Sequence, residues 1–286
     1  MSLVREFTIP PYVATHSIDE AQAHCVRQGG SLAAVRDATD NDALLGLMQR
    51  YNRDLALFGG RLGDGGAWAW QQSPRPGPAV EWTYVNWAPG QPDQPEFAQC
   101  VELWMSGQWN DVPCDDPALA RPYVCEVEVP KEGSDYTFPC SPGVMARLGL
   151  PLGAPPPICR YDVTHLDDAA KASMHYEPAR RACDARGGGA QLAEPRTALQ
   201  NAYLASIIRR AGVESLWIGM TKVGESDGPD GFAWASDGSS PAEAETRWSV
   251  TEPNGDVGDC VEMWEDGTWN DRPCDIGKAV ACEVPV

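Results

Sequence analysis

The hydrophobic and polar positions follow the same order in the two halves of the chain. Near the start, residues 17–28 form an amphipathic helical pattern that opens with the S-x-x-E capping-box spacing at Ser17, and Gly29 and Gly30 can end it. Residues 176–189 repeat this plan and close on three glycines. The pattern predicts one amphipathic helix near the start of each half.

A short apolar strand and a second helix are predicted next in each half. They cover residues 31–35 and 40–50 in the first half, and 191–194 and 197–210 in the second. Periodicity is then lost, and residues 59–99 and 221–259 are rich in Gly, Pro, Asp and Ser. This composition predicts long irregular loops between short strands, and loops of that length usually carry function.

A direct repeat follows these loops. The segments CVELWMSGQWNDVPC (100–114) and CVEMWEDGTWNDRPC (260–274) agree at ten of fifteen positions, and the flanking cysteines recur at offsets of 157 to 160 residues. That period is a whole domain, too long for a solenoid unit. We therefore predict two α+β domains, domain one at 1–128 and domain two at 140–286, joined by a linker at 129–139.

The charge balance limits the possible partners. The 286 residues include 41 acidic and 22 basic side chains, a net charge of −19, which would repel nucleic acid and acidic membrane surfaces. No run of 18 apolar residues occurs, so we expect no membrane insertion. The surplus carboxylates attract cations, although any single Asp or Glu more often serves only solubility.

The ten cysteines favour disulfides over metal thiolates, because their number is even and no C-x-x-C pair occurs. Disulfides imply an oxidising compartment, so we expect a secreted or extracytoplasmic protein. The opening residues lack a signal-peptide pattern; either that segment has been removed or the compartment differs. Cys140 and Cys159 have no counterparts in the first half, and we pair them with each other in a hairpin-like start to domain two.

Candidate metal ligands surround the repeat. Glu252-Pro253-Asn254 precedes Cys260, and Asn270-Asp271 follows it by ten residues. If Cys260 pairs with Cys274, the segment between them doubles back and can bring both pairs of oxygens to one end of the domain. Hard oxygen donors of this kind suit Ca²⁺ and do not suit zinc. The proline also suggests a cis peptide bond after Glu252, since only X-Pro bonds adopt cis at small cost.

Both halves resemble C-type lectin-like domains. The resemblance rests on two helices, a WIGL-like strand (LWIGM, 216–220; more loosely ALFGG, 56–60), a long loop region, E-P-N or Q-P-D, and W-N-D between two cysteines. It covers nearly the whole chain except the linker. It implies the disulfides Cys25 with Cys125, Cys100 with Cys114, Cys183 with Cys282 and Cys260 with Cys274, and Cys140 with Cys159 resembles the hairpin of the long form.

The resemblance also implies a shared site for calcium and sugar. In this family the E-P-N and W-N-D oxygens bind a calcium ion that accepts two sugar hydroxyls. The implied ligands are Gln91, Asp93, Asn110 and Asp111 in domain one, and Glu252, Asn254, Asn270 and Asp271 in domain two. All of these except the two W-N-D aspartates are also implied sugar contacts. Q-P-D implies galactose-like and E-P-N mannose-like sugars.

The sequence departs from the family pattern at two places. The further calcium-binding Glu, two residues before the third cysteine, is replaced by Ala98 and Gly258, and the acids four residues before it, Glu96 and Asp256, are the candidate substitutes. Lys222 lies where an acid of an auxiliary calcium site is expected. Galactose binders also stack an aromatic ring on the sugar, and the candidates for this role are Phe97 and Trp104.

Other functions remain open at this point. Domains with this fold also serve as protein-recognition or display scaffolds without sugar, so the fold alone does not settle the function. No catalytic motif is present, and we expect no enzyme activity. The tryptophans of the motifs are expected in the core by default: Trp104, Trp109, Trp217, Trp234, Trp264 and Trp269. Glycans are the expected partners, and the oligomeric state stays open.

Overall fold

The computed structural model describes residues 2–10, 14–71, 80–131, 136–151, 153–163, 174–241, 246–255 and 258–286. The chain divides into two compact units, Arg5–Glu128 and Val129–Val286, the latter joined by the residues before Arg5. Both units are α+β, with short, mainly antiparallel sheets. Across the described parts of the chain, no helix combines the length and apolar character needed to cross a bilayer.

Within its described residues, domain one contains two helices and two sheets. Its elements are β1 (Leu3–Thr8), α1 (Ile18–Arg27), β2 (Gly30–Leu32), α2 (Ala38–Arg50), β3 (Leu55–Leu62), β4 (Trp68–Trp70), β5 (Cys100–Trp104), β6 (Trp109–Val112) and β7 (Cys125–Pro130). The first sheet has the strand order β1-β7-β2 and the second β4-β3-β5-β6. The β5–β6 hairpin that carries W-N-D therefore lies at an edge of the second sheet.

The predicted capping box of α1 is only half formed. Ser17 caps the helix, because its Oγ accepts from Asp19 N at 3.3 Å. Glu20, the expected reciprocal partner, instead accepts a hydrogen bond from Thr15 Oγ1 at 2.8 Å. The helix ends just before Gly29, which has a φ of +84° that favours glycine.

Domain two has a similar arrangement with an additional segment at its start. Its elements are β8 (Phe138–Pro139), α3 (Pro142–Arg147), β9 (Ile158–Asp162), α4 (Tyr176–Asp184), β10 (Gln191–Leu192), α5 (Ala198–Ala211), β11 (Ser215–Lys222), β12 (Phe232–Trp234), β13 (Cys260–Trp264), β14 (Trp269–Arg272), β15 (Ala279–Val280) and β16 (Cys282–Pro285). One sheet has the order β10-β16-β9-β8 and the other β12-β11-β13-β14, with β15 pairing β11. The β13–β14 hairpin corresponds to β5–β6.

The stretch predicted as a linker, 129–139, contains ordered structure at both ends. Val129 and Pro130 complete β7, and Phe138–Pro139 form β8, which pairs antiparallel with β9. The hairpin-like start to domain two also contains α3 between its two strands. Five disulfides are present, with the pairing that the family resemblance implies: Cys25–Cys125, Cys100–Cys114, Cys140–Cys159, Cys183–Cys282 and Cys260–Cys274.

The tryptophan of W-N-D is a core residue in each domain and connects the second helix to the hairpin. Trp109 is fully buried, and its Nε1 donates to Asn41 Oδ1 at 2.8 Å, while Asn41 Nδ2 donates to Gly107 O at 3.0 Å. Trp269, Asn201 and Gly267 repeat the contacts at 2.9 Å each. One asparagine on α2 or α5 therefore contacts both the indole and the hairpin turn.

Two buried carboxylates distinguish the core of domain two. Glu194 accepts from Arg196 Nη2 at 2.7 Å, and Glu283 Oε1 accepts from Ser141 N at 2.7 Å. Burial, together with the charge of Glu194, raises the pKa of Glu283 to about 7. Glu283 also lies close to Cys140 and Cys159, but these thiols form a disulfide and offer no metal ligand.

Candidate ion and sugar site

In domain two, the E-P-N loop is folded against the W-N-D strand. The Glu252–Pro253 peptide bond is cis. Asn254 N donates to Asp271 Oδ1 at 3.1 Å, and Asn254 Nδ2 donates to Glu252 Oε1 at 3.2 Å. The loop and β14 therefore bring Glu252, Asn254 and Asp271 together.

Two carboxylates in this group face each other without a donor between them. Within the described residues, Glu252 Oε2 and Asp271 Oδ2 are buried oxygens that receive no hydrogen bond. Burial first, and then the adjacent Asp271 carboxylate, raise the pKa of Glu252 to about 7. Orphaned buried oxygens are costly, and a cation or a shared proton would relieve the repulsion between them.

Asn270 lies on the same strand but contacts a different acid. Its Nδ2 donates to Glu262 Oε1 at 3.2 Å. Glu262 Oε1 also accepts a hydrogen bond from Arg272 Nε at 3.0 Å, and Glu262 Oε2 forms an ion pair with Lys278 Nζ at 2.6 Å. Burial opposes ionisation of Glu262, but hydrogen bonds from Lys278, Ser215 and Arg272 outweigh it and hold its pKa below the usual value.

Domain one brings the corresponding groups together with different hydrogen bonding. The Gln91–Pro92 bond is cis, and Asp93 N lies 3.1 Å from both Gln91 Oε1 and Asp111 Oδ1. Gln94 N donates to Asp111 Oδ2 at 3.0 Å. Both oxygens of Asp111 therefore accept backbone hydrogen bonds, whereas one oxygen of Asp271 has none.

Asn110 also contacts a glutamate on the neighbouring strand. Its Nδ2 lies 3.2 Å from Glu102 Oε1, and Arg121 Nε donates to Glu102 Oε2 at 3.1 Å. Trp104 is half-buried rather than fully packed in the core, and its Nε1 also donates to Glu102 Oε1 at 2.8 Å. Trp104 and Asn110 thus share one carboxylate oxygen.

The candidate substitutes for the missing ligand differ in position. Glu96 lies in an exposed turn beside Phe97, whose side chain is 75% exposed. Asp256 lies outside the described residues. At Gly258 an added Cβ would come within 2.4 Å of Arg272 N, so the backbone leaves no room for an acid there.

A side-chain cation already lies beside the loop of domain two. Lys222 Nζ is 2.5 Å from Asp227 Oδ1, and a Cβ on Gly255 would lie 2.3 Å from Asp227 Cβ. The hydrogen bond to Asp227 is the main reason that the pKa of Lys222 is raised, and the charges of Asp259 and Asp271 add to it. Lys222 thus brings a positive charge close to the E-P-N loop.

The sequence reasoning missed Glu102 and Glu262. A signal was available, because both stand at the third position of the repeated CVE segment, and strand alternation puts them across from Asn110 and Asn270. Their cationic partners, Arg121 and Lys278, each stand four residues before the last cysteine of their domain. The repeat therefore carried a signal for this pairing that the sequence reasoning did not use.

Comparison with known proteins identifies relatives of both halves. C-type mannose receptor 2 of Rattus norvegicus is 28% identical over 278 residues, 95% of this chain and 17% of the receptor. Collectin-11 of Bos taurus is 36% identical over 115 residues, 40% of each chain. The chain therefore spans well under half the length of these curated relatives.

Solved structures also match, each over one part of the chain. The C-type carbohydrate-recognition domain of cow CD23 is 24% identical, covering 46% of this chain and 92% of that one, with a TM-score of 0.35. The mouse scavenger receptor C-type lectin domain has 20% identity, covers 44% and 91%, and has a TM-score of 0.37. The family described as the lectin C-type domain matches residues 14–127 and again 172–284. The chain belongs to the C-type lectin domain family, with one such domain in each half.

Proposed function

We propose that this protein is a calcium-dependent carbohydrate-binding protein in which domain one is galactose-type and domain two mannose-type. The observation that carries the proposal is the carboxylate pair of Glu252 and Asp271, whose facing oxygens lack any donor in the described structure. Calcium prefers six to eight oxygen ligands, and carboxylates without donors are suited to it. Glu252, Asn254, Asn270 and Asp271 would hold the ion, with water or sugar supplying the remaining ligands.

The sugar preference follows from which side chains donate and which accept. A carboxylate can bind the ion with one oxygen and accept a hydroxyl proton with the other, while an amide donates N–H to a hydroxyl oxygen. Glu252 and Asn254 stand in the reverse order of Gln91 and Asp93. The preferred orientation of the hydroxyl pair is therefore reversed between the domains.

Domain one is proposed to bind the ion less tightly than domain two. Both oxygens of Asp111 already accept backbone N–H groups, from Asp93 and Gln94. An ion at Asp111 must use the remaining lone pairs, so binding relieves less repulsion than at Asp271. Exposed Phe97 is available to stack on a sugar ring, and Glu96 is the proposed additional ligand.

The same observation favours a second candidate function for domain one, a protein-recognition scaffold that needs no ion. Its loop is held by its own hydrogen bonds, so calcium is not required to order it. In either case we propose export from the cytoplasm, because five disulfides need an oxidising compartment. We propose no catalytic activity, and turnover of simple glycosides in a progress-curve assay would refute that.

Two experiments test the proposal. Calcium titration calorimetry on the wild type is expected to show a tighter site that Asp271→Asn removes and a weaker one that Asp111→Asn removes. A glycan array run with and without a chelator is expected to show mannose-type and galactose-type signals that need calcium. A wild-type chain that takes up no calcium rules out the lectin mechanism, and chelator-resistant binding to a protein would favour the scaffold.

A further inference from the structure

A buried glutamate lies against the asparagine of each W-N-D motif. Glu102 and Glu262 occupy the same position of the repeat and are only 5% and 0% exposed. The strand register sets them directly across from Asn110 and Asn270, and in both domains the Asn Nδ2 to Glu Oε1 distance is 3.2 Å. The contact is thus formed in both halves, although the surrounding loops differ.

Cations balance the charge of each glutamate. Arg121 Nε lies 3.1 Å from Glu102 Oε2, and Lys278 Nζ and Arg272 Nε lie 2.6 and 3.0 Å from the oxygens of Glu262. The oxygens of a carboxylate that is paired with cations in this way accept hydrogen bonds and do not donate them. The NH₂ end of each asparagine amide must therefore face the glutamate, and its Oδ1 must point the other way.

We propose that Glu102 and Glu262 are positioning residues that fix the amide orientation of Asn110 and Asn270, so that Oδ1 is presented to the ion. This inference rests on the proposed function. An amide rotated by half a turn has nearly the same shape but turns two N–H donors towards the cation, which repels it. The glutamate therefore decides whether the asparagine is a ligand at all.

The test variant is Glu262→Gln, which keeps the volume of the side chain. It is made in an Arg272→Leu background and compared with Arg272→Leu alone, because Arg272 Nε otherwise donates to the same oxygen as Asn270. The single amide oxygen of residue 262 then goes to Lys278, and the new NH₂ group faces Asn270. Asn270 can satisfy that donor only by rotating its Oδ1 towards residue 262. The ion then loses one protein ligand, and water takes the vacated position.

The readout is the number of water molecules bound to terbium used in place of calcium. Terbium is excited through tryptophan, and its luminescence lifetimes in H₂O and D₂O give this number. Asp111→Asn is added to all variants so that the ion binds only in domain two. We expect about one additional water and a 10- to 100-fold loss of calcium affinity in Glu262→Gln. A purely structural role would lower the melting temperature in chelator without changing the water count. Glu214→Gln, at an exposed site before β11, controls for the lost charge.

The outcomes separate this inference from the proposed function. A wild-type chain that binds no ion refutes the lectin site itself. Ion binding with an unchanged water count and affinity in Glu262→Gln refutes only the positioning role. Glu102→Gln with Trp104→Phe and Asp271→Asn repeats the test in domain one, where Trp104 Nε1 otherwise donates to the same oxygen as Asn110. A folding failure in one domain therefore does not end the test. In the wild type, one Nδ2 hydrogen of Asn270 is expected to exchange slowly by NMR, and equal exchange of both would overturn the assignment.

Discussion

Replacing Glu283 by glutamine is expected to stabilise domain two at alkaline pH and to have little effect at acidic pH. Glu283 is buried near Glu194, and its pKa is raised from 4.5 to about 7. A raised carboxyl pKa means that the folded state binds the proton more tightly than the unfolded state. The contribution of Glu283 to the stability of domain two is therefore fully present below about pH 4.5 and is lost as the pH rises through 7.

The magnitude follows from the two pKa values. One pKa unit corresponds to about 1.36 kcal/mol, so the full loss is about 3.4 kcal/mol, of which roughly 2.5 kcal/mol falls between pH 5 and pH 8. Glutamine removes this titration, but it accepts from Ser141 N less strongly than a carboxylate, at a cost of about 1 kcal/mol. At pH 8 the expected net gain is about 2 kcal/mol, or a melting temperature higher by about 4–8 °C.

Differential scanning calorimetry of the full chain at pH 5 and pH 8, in chelator, measures this effect. Glu126→Gln is the matched control, because Glu126 follows Cys125 as Glu283 follows Cys282 but accepts from Arg5 and from Ala34 N. Glu126→Gln weakens the ion pair with Arg5 and is expected to destabilise domain one at both pH values. If Glu283→Gln shifts its transition by the same amount at pH 5 and pH 8, the reasoning is wrong.

Three further predictions concern residues outside the proposed ligand sets. Burial lowers the pKa of His24 to about 4, so domain one is expected to lose up to about 3 kcal/mol as the pH falls from 6.5 towards 4; His24→Gln should flatten that limb of the Tm–pH profile. Asn201→Ala leaves a buried indole N–H unpaired and is expected to cost about 1–3 kcal/mol in urea unfolding. Gly258→Ala pushes a Cβ into backbone and is expected to lower stability by about 1–3 kcal/mol, whereas Gly65→Ala, with open space around it, should not.

The sequence was sufficient where a local pattern determines the structure. The second helix of each domain was predicted within two residues, because its apolar spacing and its caps, Asp37 and Thr197, agree. Helix α3 was missed, since a segment rich in proline and glycine was interpreted as a hairpin-like start to domain two. Its proline stands at the first helical turn, where the missing N–H costs nothing.

The candidate site could be predicted only in part from the sequence, because contacts between residues that are distant along the chain determine its electrostatics. The disulfide pairing came from the family resemblance, not from the spacing of the cysteines. Glu262 looks like an ordinary strand residue until Lys278, sixteen positions later, is placed beside it. Likewise, no pattern distinguishes Asp111, whose oxygens are occupied, from Asp271, which has a free one, because the difference lies in loop hydrogen bonds.

The asparagine bridge between the second helix and the W-N-D turn has a consequence for protein engineering. Asn41 and Asn201 make the same three-way contact with an indole and a turn carbonyl in the two domains. The support beneath each loop is therefore nearly interchangeable, although the loops differ in length and sequence. A chimera that exchanges residues 89–99 with 250–259 would keep both supports intact, and any ligand preference encoded in the loops would move with them.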